Sequence, residues 1–199
     1  IVGEEELPDV DTRTTIPDSG DAWIVDPIDG TNNFVVGNRV WGVAVSAVEG
    51  GDAVAAVNEF PSLGDSYAAG RDGTTRNGEP CSVSDRSNHE TFTINPIFGL
   101  SPHHRRKLSE YVDIIAEEFG DSRRFGSSQF ALSSVAAGEL DAAVSGIRLA
   151  PWDTVGGVHL VRQAGGTVTD LEGEPWTPTS SGIIASNGEA HEELVAAFD

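Results

Sequence analysis

Residues 23–34 read Trp-Ile-Val-Asp-Pro-Ile-Asp-Gly-Thr-Asn-Asn-Phe, and no other stretch narrows the possibilities for this chain so far. A short apolar strand, 22–25, runs into Asp26, and Asp29 follows three residues later with Gly30 and Thr31 directly behind it. Two carboxylates leaving one strand together can hold hard divalent cations, which take oxygen ligands. Gly30 permits close backbone approach, successive amides at a helix start can hold a phosphate, and Thr31 adds a hydroxyl beside them. The plain alternative is a turn in which Asp26 or Asp29 caps its own backbone. A calcium EF-hand loop fits less well, because its glycine belongs at loop position six and a glutamate at position twelve, and this run has neither.

Two further acidic groups stand far away in sequence. Asp153 follows Trp152 and reads as the opening residue of a helix over 153–164, where aspartate commonly serves as N-cap. Glu4, Glu5 and Glu6 form a run that, taken alone, reads as a solvated face. The five histidines are not spaced as ligands with the lone Cys81. His103 and His104 read as solvent-facing residues at the start of a helix, and no histidine is given a catalytic role.

The remaining pattern divides the chain. Apolar runs over 40–48, 53–59 and 65–69, punctuated by Pro61-Ser62-Leu63-Gly64 and by the Asn77-Gly78 turn, predict mostly antiparallel sheet in the first ninety residues, with strand segments from about residue 13. Beyond that, strands (91–94, 141–145, 167–170, 183–186) alternate with helices (101–119, 127–137, 153–164, 189–198), the pattern of a layered α/β lobe. The expected division is an antiparallel-sheet lobe carrying the acidic motif over 1–88 and an α/β lobe over 89–199.

Composition excludes several partners. Of 199 residues, 32 are acidic and 12 basic, a net charge of −20, and only one of the basic residues is a lysine, Lys107. Such a surface repels nucleic acid and anionic membranes. The acidic residues are scattered, so the charge coats the fold, as expected of a protein adapted to a cytoplasm at molar salt, where the Debye length shrinks to about 3 Å. One cysteine allows no intrachain disulfide and makes a cysteine-based zinc site improbable. No apolar run is long enough to span a membrane. The chain has no methionine and begins at Ile1, which reads as a removed initiator or a start inside a longer protein.

Taken together, Gly3-Glu4-Glu5, the run at 23–34, and Trp152-Asp153 followed by Gln163-Ala164-Gly165-Gly166 resemble the inositol monophosphatase family, within the fructose-1,6-bisphosphatase-like superfamily. The resemblance extends over essentially the whole chain. It implies an α+β fold, the layered αβαβα sandwich of sugar and inositol phosphatases, here without the two helices that the family sets before Gly3. It also implies a Mg2+-dependent phosphomonoesterase acting on inositol monophosphate, fructose 1,6-bisphosphate or both. Residue by residue, Glu4, Asp26, Asp29, Asp153 and the Ile28 carbonyl would hold metal. Glu4 and Thr31 would serve the attacking water. Asp29, Gly30, Thr31, Ser127, Ser128 and Asp153 would meet the phosphate or the substrate. Paired metals supply the water, the charge neutralisation and the leaving-group stabilisation that phosphate-ester hydrolysis needs. The resemblance further suggests a homodimer.

Two departures stand out. The segment before Trp152, Ser145-Gly146-Ile147-Arg148-Leu149-Ala150-Pro151, has no carboxylate to bind inositol hydroxyls, and Arg148 there suits a second phosphate. The missing leading helices normally carry an aspartate that polarises the threonine hydroxyl. Alternatives are a 3′-phosphoadenosine 5′-phosphate-type nucleotide phosphatase, disfavoured by Asn33-Phe34 after the threonine, and a catalytically inactive metal- or phosphate-binding relative.

Overall fold

A computed structural model describes residues 1–4, 16 and 20–198. Glu5, Glu6 and the strand segments expected between residue 13 and residue 19 lie outside the described residues, Ile16 excepted. Two sheets organise the rest. The larger runs in chain order: β1 (Val2–Gly3), β2 (Asp21–Asp29), β3 (Gly42–Glu49), β4 (Asp52–Phe60), β5 (Asp65–Ala69), β6 (Thr74–Arg76) and β7 (Glu79–Cys81). Only β1 is parallel to its neighbour, pairing Val2 with Ile24 and Gly3 with Val25. The other pairs are antiparallel, as hairpins with short polar turns require, and Asn77 and Gly78 take positive φ in the β6–β7 turn.

The smaller sheet has the order β11 (Thr167–Thr169), β12 (Ile183–Ser186), β10 (Ala142–Ser145), β8 (Thr93–Pro96), β9 (Asp121–Ser122). It is mixed, with β8 parallel to β9 and β10, and β12 antiparallel to both its neighbours. Its central strands β10 and β12 are buried throughout and carry small or branched apolar residues on both faces, as a sheet covered on both sides demands.

Helices α3 (Ser128–Ala136) and α4 (Pro151–Gln163) fill the space between the sheets, and both touch strands of each. Their apolar residues show little helical sidedness because both helices are buried almost all round. Gly157 makes their close crossing possible: a Cβ there would stand 2.5 Å from the Cβ of Leu132. Helices α2 (Pro102–Glu118) and α5 (His191–Phe198) cover the outer face of the smaller sheet. A second core forms there, in which Tyr111 and Phe119 both stack on Phe198 and Phe98 meets Tyr111 edge to face. Among the described residues the layers are therefore sheet, helices, sheet, helices: an α+β layered sandwich. Ser101 caps α2 through the His104 amide, with Pro102 at its first position, as the sequence predicts.

Two of the differences from expectation bear on the site. A five-residue helix, α1 (Thr31–Val35), follows Gly30 directly. It buries nothing, so no apolar periodicity announced it. Helix α4 begins at Pro151, two residues before the predicted start. Asp153 is thus not its N-cap but lies inside the first turn, because Pro151 has the fixed φ and missing N–H that suit a first helical position.

Candidate metal and phosphate site

Strand alternation accounts for Asp26. Ala22, Ile24 and Asp26 share the inward face of β2, so the carboxylate enters the buried layer that the two apolar residues line. Asp29, three residues on, would point outward in a regular strand. Here the pairing slips: Asp26 faces Ala44 and Asp29 faces Gly42, so β2 spends three residues where β3 spends two. Pro27, which cannot donate to the ladder, sits inside this bulge. The extra residue turns Asp29 back to the inner face, and both carboxylates end almost fully buried, at 2% and 3% exposure.

The third carboxylate arrives on α4. Ligand oxygens of Asp26, Asp29 and Asp153 all lie within 4.8 Å of one another. None of the ion pairs among the described residues reaches this trio. Burial, with the neighbouring acids adding to it, pushes the Asp26 carboxyl up to about 8, and burial with Asp29 and Glu4 pushes Asp153 up to about 7. Asp29 rises less, to about 6: burial raises it, but it is opposed by hydrogen bonds from the Ser127 hydroxyl and from the first amides of α3. Three carboxylates facing one another without a basic partner are the donor set of a hard cation.

Each residue named from sequence has a definite place. Glu4 lines the same cavity, of about 650 Å3, and its charge is felt at Asp26 and Asp153, although it is not one of the close trio. The Ile28 carbonyl accepts the Thr31 hydroxyl at 2.9 Å and keeps a second lone pair, while the Ile28 amide donates to Asp26 Oδ1 at 3.0 Å. Gly30 has φ 79°, and a Cβ there would stand 3.0 Å from the Val40 carbonyl and 3.2 Å from the Ser127 side chain. Thr31 begins α1, whose first amides have no partner within the helix. Ser127 caps α3 through the Phe130 amide and donates its hydroxyl to Asp29. The Ser128 amide donates to the other Asp29 oxygen at 3.0 Å. Ser127 is thus the cap of α3, and its hydroxyl is directed at Asp29 inside the cavity.

Two further wall residues were not foreseen. His104, expected to face solvent, is half-buried against Gly99 in the cavity wall, and Arg124 lines the same cavity; Arg148, which the sequence offered for a second phosphate, lines it too. The Arg123-Arg124 pair just before Gly126-Ser127 was a signal available in a chain with so few cations. Asn33 also matters: its Nδ2 donates to the carbonyls of Val40 and Phe125, both at 2.7 Å, tying the loop after α1 to the loop that leads into α3.

A layered α+β domain in which two buried carboxylates and one half-buried one meet beside a left-handed glycine has a donor set that could hold a hard cation where a strand end meets a helix start. A sequence profile of the inositol monophosphatase family matches residues 1–199, and the chain belongs to that family. It is similar to the fructose-1,6-bisphosphatase/inositol-1-monophosphatase of Thermotoga maritima, 33% identical over 174 residues, covering 87% of this chain and 66% of that protein. Among solved structures it resembles the extragenic suppressor protein SuhB of Bartonella henselae, with TM-score 0.87, 33% identity and coverage of 100% of this chain and 74% of the other. It also resembles an inositol monophosphate-bound SaIMPase-II, with TM-score 0.82, 28% identity and coverage of 99% and 74%. The chain spans 66% of the length of the Thermotoga relative. Among the described residues no helix is long and apolar enough to cross a membrane.

Proposed function

We propose that this chain carries the site of a Mg2+-dependent phosphomonoesterase acting on small sugar or polyol phosphates. The observation that carries this reading is the trio Asp26, Asp29 and Asp153, gathered in one cavity beside Gly30 and Thr31. Family membership and the activities of similar proteins support it. Asp26, Asp29, Asp153, Glu4 and the Ile28 carbonyl would hold the metal. When bound, Mg2+ supplies charge neutralisation for the transferred phosphoryl group and acidifies water. The chain's own residues do the rest. Glu4, at the cavity edge, takes the proton of the attacking water. Thr31, its hydroxyl fixed on the Ile28 carbonyl, orients that water, and the amides of Gly30 and Thr31 receive phosphate oxygens. Ser127 and Ser128 hold Asp29 toward the metal from the start of α3, beside the substrate.

A second reading within the same chemistry is favoured by other residues of the cavity wall. Arg124 and Arg148 give the wall of this cavity two cations in an otherwise acidic protein. That wall suits a substrate with two anionic groups, as fructose 1,6-bisphosphate has. Phosphate release with Mg2+, measured on inositol monophosphate and on fructose 1,6-bisphosphate at high salt, tests both. Turnover that EDTA and Asp29→Asn abolish is expected, and no turnover on either substrate defeats the proposal. Preference for the monophosphate, unaffected by Arg148→Ala, defeats the second reading.

We also infer a cytoplasmic, salt-adapted homodimer. Scarce lysine, net charge −20 and a single free cysteine support the first two attributes. The lobe division at residue 88 remains a proposal: the larger sheet falls within 2–81 and the smaller within 93–186.

A further inference from the structure

Between the two sheets runs a chain of buried amides that the metal and phosphate chemistry does not use. Asn58, on β4, and Gln129, in the first turn of α3, are essentially inaccessible. Gln129 Nε2 donates to the main-chain carbonyl of Trp152 at 2.6 Å. Asn58 Nδ2 donates to Gln129 Oε1 at 2.8 Å and to the Ser133 hydroxyl at 3.0 Å. The direction of this chain is forced. A carbonyl can only accept, so the amino end of Gln129 must face Trp152. Its oxygen is then left for Asn58, which must present its own amino end. Asn58 Oδ1 accepts from no protein donor, so the arrangement is not the one that would best satisfy these groups.

The position of the held carbonyl gives the network its meaning. Trp152 immediately precedes Asp153, in the first turn of α4, and α4 has no side-chain cap at Ala150. The backbone amide of the same Gln129 lies close enough to Asp29 to lower its carboxyl, next to the Ser128 amide that donates to it. One residue thus touches the supports of two carboxylates of the trio. Gly156 and Gly157 leave it room: a Cβ on Gly157 would stand 2.9 Å from Gln129 Oε1, and one on Gly156 3.4 Å from Asn58 Oδ1.

We infer that Gln129, oriented by Asn58, is a positioning residue that fixes the first turn of α4 against α3 and so sets where the Asp153 carboxylate stands relative to Asp26 and Asp29. The inference rests on the trio holding a divalent cation, as proposed above. It is specific, because an apolar pair of similar volume in place of the two amides removes the hydrogen bonds without opening a cavity and leaves only the neutral Ser133 hydroxyl without its Asn58 partner.

The test uses Mn2+ as probe on the full chain, with Gln129→Met and the double variant Asn58→Leu/Gln129→Met. Calorimetric titration gives Mn2+ affinity, and denaturation in EDTA gives the stability of the metal-free protein. The expected result is Mn2+ affinity lowered about ten- to a hundredfold in both variants, as for other groups that orient metal ligands, with the metal-free midpoint of the double variant at or only slightly below the parent's, the small loss being that of the Ser133 hydroxyl's partner. Affinity within twofold of the parent overturns the inference. So does an affinity loss accompanied by an equivalent loss of metal-free stability, or failure of both variants to fold, since either marks a merely structural role. A parent that binds no Mn2+ defeats the metal reading itself, and this inference with it.

Discussion

Asp26→Asn should make the metal-free protein more stable while removing its capacity to be stabilised by metal. Three carboxylates with ligand oxygens within 4.8 Å of one another repel strongly. Two unit charges at that separation repel by about 3.5 kcal/mol at an effective dielectric near 20. The protein escapes part of this by taking up protons. That route has its own limit, because protonating a carboxyl of ordinary pKa at pH 7 costs about 4 kcal/mol. The metal-free fold therefore carries a penalty of a few kcal/mol at Asp26, the carboxyl pushed highest. Asparagine keeps an oxygen to accept the Ile28 amide and carries no charge. The expected gain is about 2–4 kcal/mol at neutral pH, or about 5–15 °C in midpoint for a chain of this size.

The sign of the pH dependence follows from the same shift. A carboxyl raised above its unfolded value keeps its proton longer in the native state. Metal-free stability must then fall as pH rises from about 4 to about 8, and Asp26→Asn should flatten that slope. Thermal melts in EDTA and with saturating Mg2+, between pH 5 and pH 8, provide the assay. The parent should gain about 3 kcal/mol or more at a hundredfold excess of metal over its dissociation constant, and the variant little. A variant less stable than the parent in EDTA at pH 8 would refute this reasoning, since it would show that Asp26 stabilises the fold without a cation.

Three other outcomes follow from the structure. Gly30→Ala places a Cβ 3.0 Å from the Val40 carbonyl at φ 79° and should cost about 1–2 kcal/mol, read by urea denaturation, together with most of the phosphate-releasing activity. His159 donates from its buried ring to the Gly70 carbonyl, and burial holds both His159 and His191 below the usual histidine range. Their contribution is present above the ordinary histidine value and is lost as pH falls below it, with a slope of at most about 1.4 kcal/mol per pH unit each; His159→Gln should remove its share in melts of the metal-saturated protein. Finally, circular dichroism across a KCl titration should show the fold weakening in dilute buffer, where a net charge of −20 is unscreened.

What could be read from sequence was whatever period or turn chemistry recorded. β5 and β12 match their predicted bounds closely because Asp65–Ala69 and Ile183–Ser186 are apolar runs closed off by glycines and polar turn residues. The candidate ligands were legible because their residue types are dense around one strand end. Where they point was not: the bulge that brings Asp29 to the same side as Asp26 depends on a register with β3, which neither strand declares alone. The start of α4 could have been read, since Pro151 carries the same signal as Pro102. The parallel pairing of β1 with β2 rests on two residues and had no local trace. Gln129, His104 and Arg124 owe their places to packing between distant segments, and single-residue patterns say nothing of that.

The bulge in β2 and the first turn of α4 meet across more than a hundred residues of intervening chain. A growing polypeptide has both Asp26 and Asp29 long before Asp153 is made, yet that pair alone is only two ligands of the three. A cation that needs all three carboxylates would find its full donor set only once both sheets and the helices between them have closed. Metal supply to this protein is therefore a question asked of finished molecules, and a shortage of the ion should leave folded but unloaded protein behind rather than misassembled chains.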